Sequence, residues 1–168
     1  SYIFLYGNMD VAEKLRWMDE EYLSHYEAIE LDSTVKPQKP FKKPVEITKK
    51  YPISSAEPEE DNTYLSYNLV VGDILDKKLY LAFDVLDYAL LGAPGAPLKQ
   101  ALIDAGIGKD VVGGYDSSTM QPVFSIIAKN ANSADKEKFL VTIQEVLNRQ
   151  VKDGVDKKAL LAGISASE

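Results

Sequence analysis

Asp110-Val-Val-Gly-Gly-Tyr115 and Pro122-Val-Phe-Ser-Ile-Ile-Ala128 are two short apolar runs separated by the polar stretch from Asp116 to Gln121. Runs rich in β-branched and aromatic residues, bounded by turn formers, read as strands, and the loop between them suits a hairpin. Upstream, Thr63-Tyr-Leu-Ser-Tyr-Asn-Leu-Val-Val71 reads as another strand, closed by Gly72-Asp73. Tyr64 and Tyr67 are three apart in it, so they belong to opposite faces. Between these strands Asp76 starts a helix whose apolar face is Leu79, Phe83, Leu86 and Leu90, widened by Leu81, Val85 and Leu91. Gly92-Ala-Pro-Gly-Ala-Pro97 breaks that helix, and Leu98 to Ala105 resumes as a short one stopped by Gly106. Beyond the hairpin, Asn132 or Ser133 caps a long helix carrying Phe139, Ile143, Val146, Leu147 and Val151, with Gly154 as its stop. Asp156 then caps a further helical run from Lys157 to Ile164.

Toward the start, Tyr2-Ile-Phe-Leu-Tyr6 reads as a buried strand ended by Gly7-Asn8. Asp10 caps a helix in which Val11, Leu15, Met18, Tyr22 and Leu23 share a face. From Leu31 to Pro44 the chain sets Pro37, Pro40 and Pro44 among Lys36, Lys39, Lys42 and Lys43, a composition that predicts an extended arm or linker. Val45-Glu-Ile-Thr-Lys-Lys-Tyr51 alternates apolar and polar residues and predicts a half-exposed strand, paired antiparallel with Thr63 to Val71. The order strand, helix, two strands, two helices, two strands, helix predicts an α+β fold: a largely antiparallel sheet with helices on one face. The expected organisation is a single domain over 1–168, itself a fragment of a larger polypeptide, with 31–44 an arm within it and 155–168 the start of a truncated helix. A leading strand, a closing helical pattern and the lack of an initiator Met prompt that expectation.

Composition narrows the function. Hydrophobic residues at 45% and charged residues at 27% are ordinary for a globular protein. No apolar run reaches the ~20 residues that span a bilayer, and the first residues lack the basic and cleavage regions of a secretory signal. A net charge of −7 opposes phosphate-backbone binding; neither nucleic acid nor membrane is an expected partner. The acidity serves solubility, or as an alternative steers basic peptides inward. The absence of cysteine removes disulfides, zinc ribbons and thiol catalysis, and fits a reducing, cytoplasmic location. A catalytic zinc needs two or three imidazole or thiolate ligands, and His25 is the single histidine. No catalytic, cofactor-binding or metal-ligating residue is therefore expected in this chain.

The local candidates have plain readings. His25 lies at the end of the first helical segment, a surface or capping position. Gly106-Ile-Gly-Lys-Asp-Val-Val-Gly-Gly114 lacks the Lys-Ser/Thr and following helix of a phosphate loop, so its glycines serve turns and close backbone packing. Glu57, Glu59, Glu60 and Asp61 lack the spacing of a calcium loop. Asp84 and Asp87 share part of a helix face and read as exposed charge. Used instead as an acid pair by a small-molecule enzyme, they would require a deep pocket beside that helix.

Tyr6-Gly-Asn-Met-Asp10, Lys36-Pro-Gln-Lys-Pro-Phe41, Tyr51-Pro-Ile53, Thr63-Tyr-Leu-Ser66, Leu86-Asp-Tyr88 and Ala96-Pro-Leu-Lys-Gln-Ala-Leu-Ile-Asp-Ala-Gly106 together resemble the insulinase/pitrilysin superfamily of zinc metallopeptidases, closest to its presequence-protease branch. The resemblance covers nearly the whole chain in one order. It implies the LuxS/mitochondrial-processing-peptidase-like metallohydrolase fold, and a parent in which related domains form two bowl-like halves that close around a peptide. The His-x-x-Glu-His zinc site of that superfamily lies in its first domain; this chain resembles the second, non-catalytic one. The resemblance thus implies zinc in the parent and none here, with the remaining domains of the same polypeptide and peptide substrates as partners. In the superfamily's fourth domain an Arg and a Tyr help to hold the substrate; the related stretch here offers Lys109 and Tyr115. Lys109 lacks the bidentate fork of an Arg, and Tyr115 reads as a structural relic of such a contact. The alternative is a non-peptidase assembly module of the same fold, like respiratory-complex core subunits, with the Pro-Lys arm as a docking strap.

Overall fold

Asp10 accepts the backbone N–H of Glu13 at 3.0 Å, satisfying one of the donors a helix start leaves open, and the helix Val11–Glu21 (α1) follows. A 3₁₀ turn, Leu23–His25, continues it, and Trp17 meets Tyr22 edge to face at 5.3 Å. The computed structural model describes residues 2–166. They fall into two compact units, 1–36 and 37–168, with the division inside the Pro/Lys-rich arm.

The second unit is organised by a sheet. Thr63–Val70 (β1), Asp110–Asp116 (β2) and Val123–Ala131 (β3) form one antiparallel three-stranded sheet in the order β1-β3-β2. Along β3, Phe124, Ile126 and Ala128 are buried while their neighbours are not, the two-residue period of a strand with one covered face. Asn130, in the left-handed region at φ 54°, takes up an extra position, so Thr63 faces Ala131 while Leu65 faces Ala128.

Helices cover that face. Asp76 caps Lys77–Asp87 (α2) through bonds from the N–H groups of Lys78 and Leu79. The helix then widens into a π turn, Tyr88–Gly92, that places Ala89, Leu90 and Leu91 inside in succession. Pro97–Asp104 (α3) begins with the proline where its missing N–H costs nothing. Lys136–Asp153 (α4) follows a capping box made by Asn132 and Asp135 and ends at Gly154, φ 86°. Lys157–Ala166 (α5) starts from Asp156, which accepts the Ala159 N–H at 2.8 Å. Leu98 and Leu102 of α3 and Phe139, Ile143 and Val146 of α4 close over Ile126 and Val111. Leu98 and Leu102 are 0% exposed, each contributing roughly 1.5–3 kcal/mol by burial. The chain is thus α+β, as its pattern of elements predicts.

Two expected strands do not form. Tyr2–Tyr6 has no strand partner among the described residues and its aromatic rings are exposed. A run with the right residues needs an edge to pair with, and local sequence cannot supply one. Val45–Tyr51 also stays irregular, so β1 pairs with β3 rather than with it. Pro44 and Pro52 bracket that run and remove backbone donors at both ends. Side chains tether it instead: Glu46 pairs with Lys136, the Tyr51 hydroxyl donates to the carbonyl of Asn62, and its ring meets Tyr64 edge to face at 5.7 Å. Gln38 and Gln121 pair reciprocally, the Gln38 N–H donating to Oε1 at 2.7 Å and Nε2 donating back to the Gln38 carbonyl at 3.0 Å. No helix of the described residues is long and apolar enough to cross a membrane.

Candidate functional site

The two ends of β2 hold the two residues singled out for substrate contact. Lys109 enters the strand after Gly108, whose φ of 73° is one that only glycine adopts without strain. A Cβ at Gly108 would lie 2.6 Å from the carbonyl oxygen of Lys129, so glycine lets the chain approach β3 closely enough for the Lys109 N–H to donate to that carbonyl at 2.8 Å. The Lys109 ammonium then lies 2.9 Å from a carboxylate oxygen of Asp61. Asp61, itself left-handed at φ 56°, is gripped by Asn132: its N–H donates to Asn132 Oδ1 at 2.9 Å while Asn132 Nδ2 donates to its carboxylate at 2.9 Å. Asn130 Nδ2 donates to the Asp61 carbonyl at 3.1 Å. The Lys109 bond foremost, then the Asn132 bond, holds the Asp61 carboxyl below its ordinary value. This is a clasp that fastens the start of β1 to the end of β3.

At the other end, Tyr115 faces the covered side of the sheet, opposite Phe124. Its ring stacks on Phe83 at 5.7 Å and meets Tyr80 at 5.9 Å. Loss of water around the phenol, then Tyr80 and Asp84, pushes its pKa above the ordinary tyrosine value. The side chain works mainly as packing between α2 and β2. Lys109 and Tyr115 are separated by most of a strand, ~20 Å at the usual rise, so they do not converge on one group.

Asp84 and Asp87 line an open hollow of about 320 Å³ beside the π turn, together with Gly92, Gly113 and Gly163. Burial raises the Asp87 carboxyl above its ordinary value; the Tyr115 N–H, which donates to Oδ2 at 3.2 Å, opposes the shift, and Asp84 adds to it. Asp87 is thereby committed to holding β2 against α2. His25 is exposed at the end of its 3₁₀ turn. Among the described residues no three His, Cys, Asp or Glu side chains are placed to hold a metal ion. With one imidazole and no thiolate, the donor set does not fit a catalytic zinc. The acidic residues ahead of Asp61 lie in turns, where Glu57 accepts the Ser54 N–H at 3.1 Å.

Sequence reading missed Asn130 and Asn132 as partners of Asp61; the bias of Asn and Asp toward left-handed backbone was the available signal. It also missed the π turn, which the glycine and prolines after it announce only as a helix end.

A family model described as the Peptidase M16 inactive domain matches residues 1–166. Protein HypA of Clostridium perfringens is 44% identical over 168 residues, 100% of this chain and 17% of that protein. Presequence protease 1, chloroplastic/mitochondrial, of Arabidopsis thaliana is 31% identical over 170 residues, 99% of this chain and 16% of its own length. The chain spans about a sixth of these curated relatives. Among solved structures, the crystallised inactive peptidase domain of a Bordetella parapertussis protein assigned as a zinc protease superposes with a TM-score of 0.54 at 16% identity, covering 61% of this chain and 56% of that one. That likeness concerns the fold.

Proposed function

This chain belongs to the Peptidase M16 inactive domain family, and from that premise we propose that it is the non-catalytic chamber-wall domain of a zinc-dependent metalloendopeptidase acting on short unstructured peptides. The family match along 1–166 carries this reading, and a composition of one histidine and no cysteine agrees with it. Zinc and its general base then belong to a separate upstream domain of the parent, and the other domains of that polypeptide are the chain's partners. The rigid sheet and its helical cover contribute shape: a wall that admits an extended peptide and excludes a folded one. Lys109, whose side chain is 68% exposed, is the position proposed to reach the peptide; Tyr115, its ring stacked on Phe83, is the lesser candidate and serves first as packing. The location proposed is cytoplasmic; the relatives named as presequence proteases carry organellar names of their own.

The test uses the parent polypeptide. Removing residues 37–166 should abolish turnover of an unstructured peptide while the bound zinc is retained, the zinc reporting that the remainder is folded. Full turnover by that truncated, zinc-loaded parent would contradict the proposal. A parent reading frame with no His-x-x-Glu-His would favour the non-peptidase assembly module instead.

A further inference from the structure

β2 is a margin of its sheet, in the order β1-β3-β2, and an edge strand turns every second N–H and C=O away from its one partner. Such a row is a template for another chain. Here the outward residues are Val111, Gly113 and Tyr115, because the N–H of Tyr115 leaves the ladder for Asp87 Oδ2 at 3.2 Å and that of Val111 for Asp110 Oδ1 at 2.9 Å. Each acceptor is a carboxylate oxygen standing where the carbonyl of an added strand would come. Both carboxylates are held in place. Lys99 of α3 pairs with the same Oδ1 of Asp110 at 3.2 Å. Asp87 is the last residue of α2, and Gly114 leaves it room, since a Cβ there would lie 3.0 Å from Oδ2. Between the two, Gly113 is exposed and opens on the hollow beside the π turn. All of these groups belong to the second unit.

We infer that Asp87 and Asp110 close the outer edge of β2 against strand addition, and that the strand they keep off is β2 of a second copy of this chain. Register argues for that occupant. Two β2 strands laid antiparallel about Gly113 bring each Val111 opposite the other's Tyr115, so every outward amide meets a carbonyl, and the crossing point carries only glycine. Charge argues against letting it in. The same pairing sets Asp87 of one copy against Asp110 of the other at both ends, four carboxylates along one seam, in a chain whose net charge is already −7. Like charges juxtaposed across an interface suppress the pairing, and charged side chains are a common guard on exposed strand edges.

The experiment is sedimentation of the 168-residue chain and of its Asp87→Ala, Asp110→Ala double variant, with amide hydrogen exchange read on both. The variant should self-associate with an apparent dissociation constant at least ~10-fold below that of the unchanged chain, and its Gly113 amide should become protected as it does so. In the unchanged chain the amides of Val111 and Tyr115 should exchange at least ~10-fold more slowly than that of Gly113, because carboxylates cover those two. A variant that melts cooperatively and associates no more than the unchanged chain would overturn the inference. Uniform exchange across the three amides of the unchanged chain would overturn it too, and that comparison decides the matter if the variant fails to fold. Association of the variant with Gly113 left unprotected would put the contact elsewhere, and so would also overturn it.

Discussion

Adding one methyl group at Gly113 should open the middle of the sheet. Gly113 sits in β2 opposite Ile126, and a Cβ there would lie 2.1 Å from the carbonyl oxygen of Ser125 and 3.1 Å from a methyl carbon of Leu91. The first of these atoms is backbone of the central strand, so β2 has to move. Two lost ladder bonds at ~1 kcal/mol each and strain of ~1–3 kcal/mol put the cost of Gly113→Ala near ~4 kcal/mol. For a domain of this size that is a fall of ~10 °C in Tm. Gly95→Ala is the control: φ is 71° but no atom lies within 4 Å of the new Cβ, so only the left-handed penalty of ~1 kcal/mol applies. Urea and thermal unfolding of both variants compare the same added atom in two settings. Equal losses would refute the reasoning and reopen the question of why this run carries its glycines.

Leu102→Ala, at a wholly buried position, should cost about 3 kcal/mol in urea unfolding, whereas Leu15→Ala in α1 should stay within ~0.5 kcal/mol in the isolated chain. The raised Asp87 carboxyl makes the folded state hold its proton longer than the unfolded state, so its contribution to stability falls as pH rises from the ordinary 3.8 through the folded value. Asp87→Asn keeps an oxygen for the Tyr115 N–H and should remove that fall, read as a smaller difference in urea midpoint between about pH 3 and about pH 7. Asp61 works with the opposite sign: its lowered carboxyl supplies stability above 3.8 that is lost as pH falls through the folded value. Lys109→Ala should weaken that acid-side loss in the same titration.

The sheet was legible where side-chain chemistry repeats. β3 announces itself by a β-branched and aromatic run, and Asp10, Asp76, Asn132 and Asp156 mark helix starts because a side-chain oxygen at those positions answers open backbone donors. Tyr2–Tyr6 and Val45–Tyr51 carry comparable patterns and still form no strand, since pairing depends on an edge elsewhere in space. The clasp of Asp61 by Asn132 was illegible for a related reason: its members lie 71 residues apart and belong to no period. Lys109 could be named from the resemblance, but that its charge is met by Asp61 follows only from how β1 and β3 end side by side. That one histidine and no cysteine make a poor donor set for a catalytic zinc is an expectation from composition, which takes no account of the fold.

The most direct measurement is peptide turnover and zinc content of the purified 168-residue chain, assayed with an unstructured fluorogenic peptide before and after a chelator. A domain that supplies shape alone should show no chelator-sensitive cleavage, no stoichiometric zinc, and the same Tm with and without the metal. Turnover that a chelator abolishes and zinc restores, in the chain by itself, would contradict it.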